Sequence, residues 1–226
     1  MTAVGRLGFR VRPAGPRLPA ATMARFSGLA SATVADAMGR FNFMDPGLRA
    51  RTGRRAAGPA VTVVCRPGDN LMVHKALALA SPGDVVVVTT GGNVTSAVFG
   101  ELMCESAIGA RIGALVVDGA VRDVEAISSK GFAVFSRSIS PGACDKDGPG
   151  EINVPVACGG VVVRPGDVVV GDSDGVAVVP YEEADIVLQA VEELMDRERR
   201  RVAEIRGGQV FRPDVDELLR RKGVIE

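Results

Sequence analysis

Tryptophan is absent from the 226-residue sequence, aromatic residues make up only 4% of it, and there is one tyrosine and one histidine. That scarcity removes the stacking platforms of single-stranded nucleic-acid binders and most aromatic cages for sugars or cations. Net charge is missing too. The 27 basic and 27 acidic side chains cancel, so no broad field draws a nucleic-acid backbone or an acidic membrane surface. Cys65, Cys104, Cys144 and Cys158 lie far apart with no CxxC pair, which argues against a disulfide framework or a zinc knuckle and for reduced thiols. No apolar run approaches a membrane span, and "MTAVGRLGFRVRPAGPRLPA" lacks the continuous apolar core of a signal peptide. A cytoplasmic protein without nucleic-acid or membrane partners is expected.

What is present is a chain 46% hydrophobic, long enough for one well-buried domain. Residues 1–20, with Pro13, Pro16 and Pro19, read as a flexible arm, and 21–226 as a single domain ending in helices. Small and apolar residues at helical spacing run from Met23 to Met38, with Ser31 or Thr33 as N-cap of a second short helix. "GPAVTVVCRPG" reads as a strand, and Asp69 or Asn70 opens the helix "NLMVHKALALA". "GDVVVVTT" is a strand covered on both faces, followed by Gly91, Gly92 and a helical stretch to Arg111. "LVVDGAVRDVEAI" supplies a strand at 115–117, a turn at Asp118-Gly119 and a helix, and "GFAVFSRSIS" another strand. "DKDGPGEINVP" reads as loop. "RPGDVVVGD" and "DSDGVAVVP" form a hairpin, and a long amphipathic helix stops at Gly207. The alternation is α/β in the first half and richer in β after residue 130.

Most polar clusters have inexpensive explanations. "GGNVTSAVFGELM" matches neither GxGxxG nor a P-loop. Spacing alone favours Gly100 as a close-packing residue inside one continuous helix; the alternative is that the helix starts afresh there. A fresh start would leave the N–H groups of Glu101, Leu102 and Met103 free to bind a small anion. In "DGAVRD", Asp123 is either an N-cap beside a solvated Arg122, or a hard oxygen ligand for a divalent cation beside an arginine that clamps a carboxylate. The position after a strand in an α/β pattern is where ligands gather, and local chemistry leaves the two readings level. His74 reads as a hydrogen-bonded structural histidine, Lys75 as solvated, and the serines lack a nucleophile-elbow context. Asp172 and Asp174 fit turn chemistry or the lining of a polar pocket.

Several phrases together resemble the RraA-like family: "LASATVADAMGRFNFMDPGLRA", "DNLMVHKALALASPGDVVVV", "GNVTSAVFGELM", "GALVVDGAVRDVEAI" and "PGEINVPVACGGVVVRPGDVVVGDSDGVAVVP". The resemblance runs in order from about residue 25 to about 206. It implies an α-β-β-α sandwich of the swivelling β/β/α type, assembled as a homotrimer or a hexamer of paired trimers with active sites between subunits. The family holds 4-hydroxy-4-methyl-2-oxoglutarate aldolases, which also decarboxylate oxaloacetate, and non-catalytic regulators that inhibit ribonuclease E. Its aldolases carry an acid, a twenty-residue gap and then Arg-Asp, a pattern met by Glu101, Arg122 and Asp123. Where that pattern usually adds an acid three residues after the Asp, this chain has Ala126, with Glu125 one place early. Carried over, Asp123 would bind Mg2+ or Mn2+, Glu101 would hold metal-bound waters, and Arg122 would clamp the pyruvyl end of a 2-oxo acid. The amides of Leu102 and Met103, behind Gly100, would grip its carboxylate. An acid from a neighbouring subunit is also implied, with Glu198 and Glu204 as candidates. The resemblance therefore implies a metal-dependent lyase that cleaves a 4-hydroxy-2-oxo acid to pyruvate, or alternatively a protein-binding regulator.

Overall fold

The computed structural model describes residues 4–212 and 214–226. Its strands are β1 (Val4–Arg6), β2 (Phe9–Val11), β3 (Arg49–Ala50), β4 (Ala56–Cys65), β5 (Val85–Thr89), β6 (Ala114–Val121), β7 (Ala133–Ile139), β8 (Gly150–Ile152), β9 (Val156–Cys158), β10 (Val161–Val163), β11 (Val168–Asp172) and β12 (Gly175–Val179). Its helices are α1 (Ala20–Phe26), α2 (Ser31–Ala37), α3 (Leu71–Leu79), α4 (Glu101–Gly109), α5 (Val124–Ser129), α6 (Ala184–Arg206) and α7 (Asp214–Arg221). None of these helices is long and apolar enough to cross a membrane.

Four adjacent parallel strands, in the order β4-β5-β6-β7, make the centre of the main sheet. Valine-rich runs suit this place because both faces are covered, and alternate residues go to opposite cores. Val86, Val88, Leu115 and Val117 pack under α3, α4 and α5 with Val73, Ala76, Cys104 and Ile127. Val85, Val87, Val116 and Phe135 face the other way, onto Val169, Val176 and Val178 of the β11-β12 hairpin. The outer face of that hairpin, Val168, Val170, Ala177 and Val179, is covered by Phe26, Val34, Val187 and Leu188 from α1, α2 and α6. The layers are helices, sheet, hairpin and helices, which is the expected α-β-β-α sandwich. β4 joins the layers, pairing with β11 through residues 56–59 and with β5 through residues 60–64.

Four local expectations are corrected. The segment read as a flexible arm is tied down from residue 4 onward: β1 and β2 form a hairpin, and β2 lies parallel to β8. Glu151 accepts from the backbone of Gly8 at 2.6 Å and pairs with Arg10 at 2.8 Å, while Arg17 reaches buried Asp84 at 2.7 Å. Residues 1–3 of that arm lie outside the described residues. Part of the supposed loop "DKDGPGEINVP" is β8, because the edges of β4 and β2 supply its ladder partners. Asp118 and Gly119 are not a turn but a bulge inside β6; a side chain on Gly119 would collide with the Thr90 hydroxyl. The helical stretch after Gly92 begins only at Glu101, since Ala97 bridges to Ala120 and Val98 N–H donates to Ala120 O at 3.0 Å.

Candidate active site

The connections that leave the C-terminal ends of β4, β5, β6 and β7 converge on one cavity of 250 Å³. Crevices beyond the carboxyl ends of parallel strands are the usual ligand sites of such sheets. Asn70 and His74 come from the start of α3, Gly100 to Met103 from the start of α4, Arg122 and Asp123 follow β6, and Cys144 and Lys146 follow β7.

The backbone brings Gly100 against Arg122 and Asp123. Arg122 N–H donates to Phe99 O at 2.9 Å, continuing the zipper begun at Val98. α4 then starts afresh at Gly100, the option that spacing alone disfavoured. Its first internal bond runs from Cys104 N–H to Gly100 O at 3.0 Å, so the N–H groups of Leu102 and Met103 have no acceptor within the helix. Gly100 is extended, with φ of −150°, and is required by space rather than by backbone conformation. A Cβ there would stand 2.6 Å from Asp123 Oδ2 and 3.0 Å from Arg122 Nε.

Asp123 sits in the left-handed region, with φ of 58° and ψ of 35°, a conformation that Asp tolerates better than most residues. It occupies the N-cap position of α5 but does not cap that helix with its side chain. Its Oδ2 instead accepts from Glu101 N–H at 3.0 Å, capping α4 from outside, and lies 3.4 Å from Arg122 Nε. Oδ1 accepts no hydrogen bond among the described residues. Lys130 Nζ pairs with Glu101 at 3.1 Å and Glu105 at 2.6 Å, which orients the Glu101 side chain. These two carboxylates raise the Lys130 ammonium above its ordinary range.

The chemistry follows from what is left unpaired. A helix N-terminus with two spare amides and an adjacent guanidinium suits a carboxylate. A half-exposed Asp with one open oxygen, near a second carboxylate at Glu101, suits a hard cation that keeps most of its waters, as Mg2+ does. Among the described residues no group of three His, Cys, Asp or Glu side chains could enclose a metal, so zinc-type ligation does not fit. Each residue expected at the site therefore lies at this cavity: Gly100, Glu101, Leu102, Met103, Arg122 and Asp123. Glu198 and Glu204 are on the exposed distal half of α6 and do not line it. Glu125 makes no ion pair among the described residues.

Sequence reasoning missed Asn70, Cys144 and Lys146, and it misread His74. That histidine is exposed at the cavity, and its ring makes no hydrogen bond among the described residues. Partial loss of solvation against the cavity wall first, and the Lys146 charge second, lower its basicity. A usable signal existed for two of these positions: Asn70 and His74 are four apart at the opening of a helix that follows a strand, so they share a face.

Comparison with known proteins identifies the family. The RraA-like family model, described as Aldolase/RraA, matches residues 31–178. A relative from Halalkalibacterium halodurans named "Putative 4-hydroxy-4-methyl-2-oxoglutarate aldolase" is 47% identical over 135 residues, which span 60% of this chain and 64% of that protein, just under two thirds of its length. A relative of the same name from Ectopseudomonas mendocina is 36% identical over 54% of this chain and 75% of its own. Among solved structures, Streptomyces coelicolor RraAS2, described as an unusual member of the RNase ES inhibitor RraA protein family, superposes with a TM-score of 0.74 at 26% identity, covering 82% of this chain and 97% of that one. With the family model matching well over half of the chain and the sandwich shared with an RraA protein, this chain belongs to the RraA-like family.

Proposed function

We propose that the chain is a divalent-metal-dependent carbon-carbon lyase that cleaves 4-hydroxy-4-methyl-2-oxoglutarate or a similar 4-hydroxy-2-oxo acid to pyruvate. The observation that carries this reading is the meeting of Arg122 and Asp123 with the unpaired N-terminus of α4 in a single cavity. The N–H groups of Leu102 and Met103 hold the substrate's C1 carboxylate. The Arg122 guanidinium faces the 2-keto oxygen and stabilises the negative charge that develops there. Asp123 Oδ1 is the residue atom to hold Mg2+ or Mn2+, with Glu101 acting through water; the bound ion would supply Lewis-acid stabilisation of the enolate. Water ordered by Glu101 removes the C4 hydroxyl proton, the C3–C4 bond breaks, and the pyruvate enolate is protonated before it leaves. Oxaloacetate decarboxylation passes through the same enolate and is the expected side activity. The proposal includes assembly as a homotrimer or hexamer, with a neighbour's Glu198 or Glu204 completing the site.

The test couples pyruvate release to lactate dehydrogenase over a panel of 4-hydroxy-2-oxo acids and oxaloacetate, with Mg2+, with Mn2+ and with EDTA. Turnover that EDTA abolishes and added metal restores supports the lyase. Metal-independent turnover, or none on any substrate, overturns it. Inhibition of ribonuclease E by a chain inactive on the whole panel would favour the regulator that its structural likeness to RraAS2 brings into view.

A further inference from the structure

Glu101 is held at both ends by one short helix. α5 runs from Asp123 at its N-cap to Lys130 at its C-cap, and both of these flanking residues reach the first residue of α4. Asp123 Oδ2 accepts from Glu101 N–H at 3.0 Å, and Lys130 Nζ stands 3.1 Å from Glu101 Oε1. Ile127, buried in the core between sheet and helices, fixes α5 between the two contacts. The chain turns away directly after Lys130, at Gly131 with φ of 73°. A cation at the end of α5 also suits the negative pole of that helix.

Three carboxylates, Glu101, Glu105 and Asp123, gather around the first two turns of α4. Even so, no three His, Cys, Asp or Glu side chains among the described residues could enclose a metal together. Two of the three are engaged by Lys130. Glu101 and Glu105 are one turn apart on the same face of α4, where like charges repel, and Lys130 Nζ draws both toward α5, at 3.1 Å and 2.6 Å. Both acids are about half exposed, and ion pairs with so much solvent around them contribute little to stability. What the contact does fix is the direction of the Glu101 carboxylate, which pairs with no other cation among the described residues.

We infer that Lys130 is a positioning residue of the candidate site: it holds the Glu101 carboxylate against α5, so that Glu101 serves a divalent ion through water instead of displacing a water to bind the ion directly. The inference rests on the metal-dependent reading of the site and names the residue that sets the part Glu101 plays in it. A second direct carboxylate would cancel the charge of a divalent ion. With Asp123 alone, net positive charge remains in the cavity, where negative charge develops on the substrate. Keeping Glu101 at a distance also leaves it free to order the water that removes a proton.

The experiment uses Mn2+ as the probe and needs no substrate. Affinity is read from the electron paramagnetic resonance signal of free Mn2+, and the waters kept by the bound ion from water-proton relaxivity. Lys130→Met, which keeps the aliphatic stem, should tighten Mn2+ binding about 5-fold to 10-fold and lower the relaxivity per bound ion by about a fifth, roughly one water in five lost to Glu101. Lys130→Arg should match the wild type in both readings. Glu101→Gln added to Lys130→Met should return the relaxivity to the wild-type value, because an amide competes poorly with water for a hard cation. Should Lys130→Met not fold, Lys130→Gln takes the same two readings. Tighter binding with unchanged relaxivity would reveal a bare charge effect and overturn the inference, as would a lowered relaxivity that Glu101→Gln does not restore. In pyruvate release, Lys130→Met should lose about 10-fold in kcat with KM within about 2-fold. A metal-dependent lyase whose Mn2+ readings ignore Lys130→Met loses this inference alone. A chain that gives the expected Mn2+ readings but cleaves no 2-oxo acid loses only the lyase reading, and a wild type that binds no Mn2+ loses both.

Discussion

Two aspartates in this fold perform the same structural task in different surroundings. Asp172, the last residue of β11, caps α2 from outside: its Oδ2 accepts from Ser31 N–H at 2.9 Å and its Oδ1 from the Ser31 hydroxyl at 2.6 Å. Asp174 N–H adds a third bond at 3.0 Å, and Arg55 stands 3.8 Å away. Asp172 is 3% exposed, and both of its oxygens are used. Asp123 caps α4 in the same manner, but its side chain is 41% exposed, one oxygen is open and the backbone is left-handed. Capping a helix from a neighbouring element is therefore no mark of function in itself. The mark is the bonding capacity that remains after the cap is made, and only Asp123 has any to spare.

The largest effect that sharpens this contrast is expected from Asp123→Asn. Asparagine tolerates the left-handed conformation and can still accept from Glu101 N–H, so stability measured by urea unfolding should change by less than about 1 kcal/mol. For the proposed lyase, pyruvate release should fall by about a thousand-fold, because the proposed chemistry uses charge at the open oxygen. Near-normal activity would return Asp123 to the rank of a plain cap. The reverse is expected of Asp172→Ala, which strands the Ser31 and Asp174 donors around a buried gap. It should cost about 3 kcal/mol in urea unfolding and leave activity per folded molecule within about 2-fold, since Asp172 is not among the residues that line the cavity.

Gly100→Ala tests the link between the two ends of the Asp123 carboxylate. No backbone strain is involved at φ of −150°, but the new Cβ must displace Asp123 Oδ2 and Arg122 Nε. Both side chains are partly exposed and can move outward, so the stability cost should stay near 1 kcal/mol. The proposed cleavage, which relies on the two groups held in place, should lose about 10-fold or more in kcat/KM. A variant with full activity would show that the contact at Gly100 is incidental.

The sequence carried the two features that repeat with a period and lost those that depend on meetings between distant segments. Valine runs announced β5, β6, β11 and β12, and the stripe on α6 announced that helix, because burial on a face leaves a regular imprint. β8 left none: its three residues are a strand because β4 and β2 present free edges to them. The hairpin of β1 and β2 was hidden in the same way. At the site, the spacing of Glu101, Arg122 and Asp123 was visible through the family resemblance alone, and the fresh start of α4 depended on the pairing of Ala97–Phe99 with Ala120–Arg122. Lys146 lay in a stretch rich in glycine and proline, whose composition says nothing about which cavity it borders.

The smallest of the expected effects concerns pH and returns to Asp172. Burial alone would raise its pKa, but the bonds from the Ser31 hydroxyl, Ser31 N–H and Asp174 N–H, with Arg55 nearby, outweigh burial and hold it below the usual carboxylate range. As pH falls through the ordinary carboxylate value near about 4, the unfolded chain takes up the proton first while the folded chain still resists it. The unfolded state then binds more protons, so stability is full above that pH and is lost as pH drops toward the lower folded value. Asp69, held down by the N–H groups of Asp147, Leu71 and Gly148 against the opposing effect of burial, and Glu151, held down by Arg10, act in the same direction. Urea midpoints at pH 5.5 and at pH 3 should therefore fall less steeply for Asp172→Asn than for the wild type, with the remainder carried by Asp69 and Glu151. An undiminished fall in that variant would mean that the cap on α2 is held by the shape of the chain around it and not by the charge of Asp172.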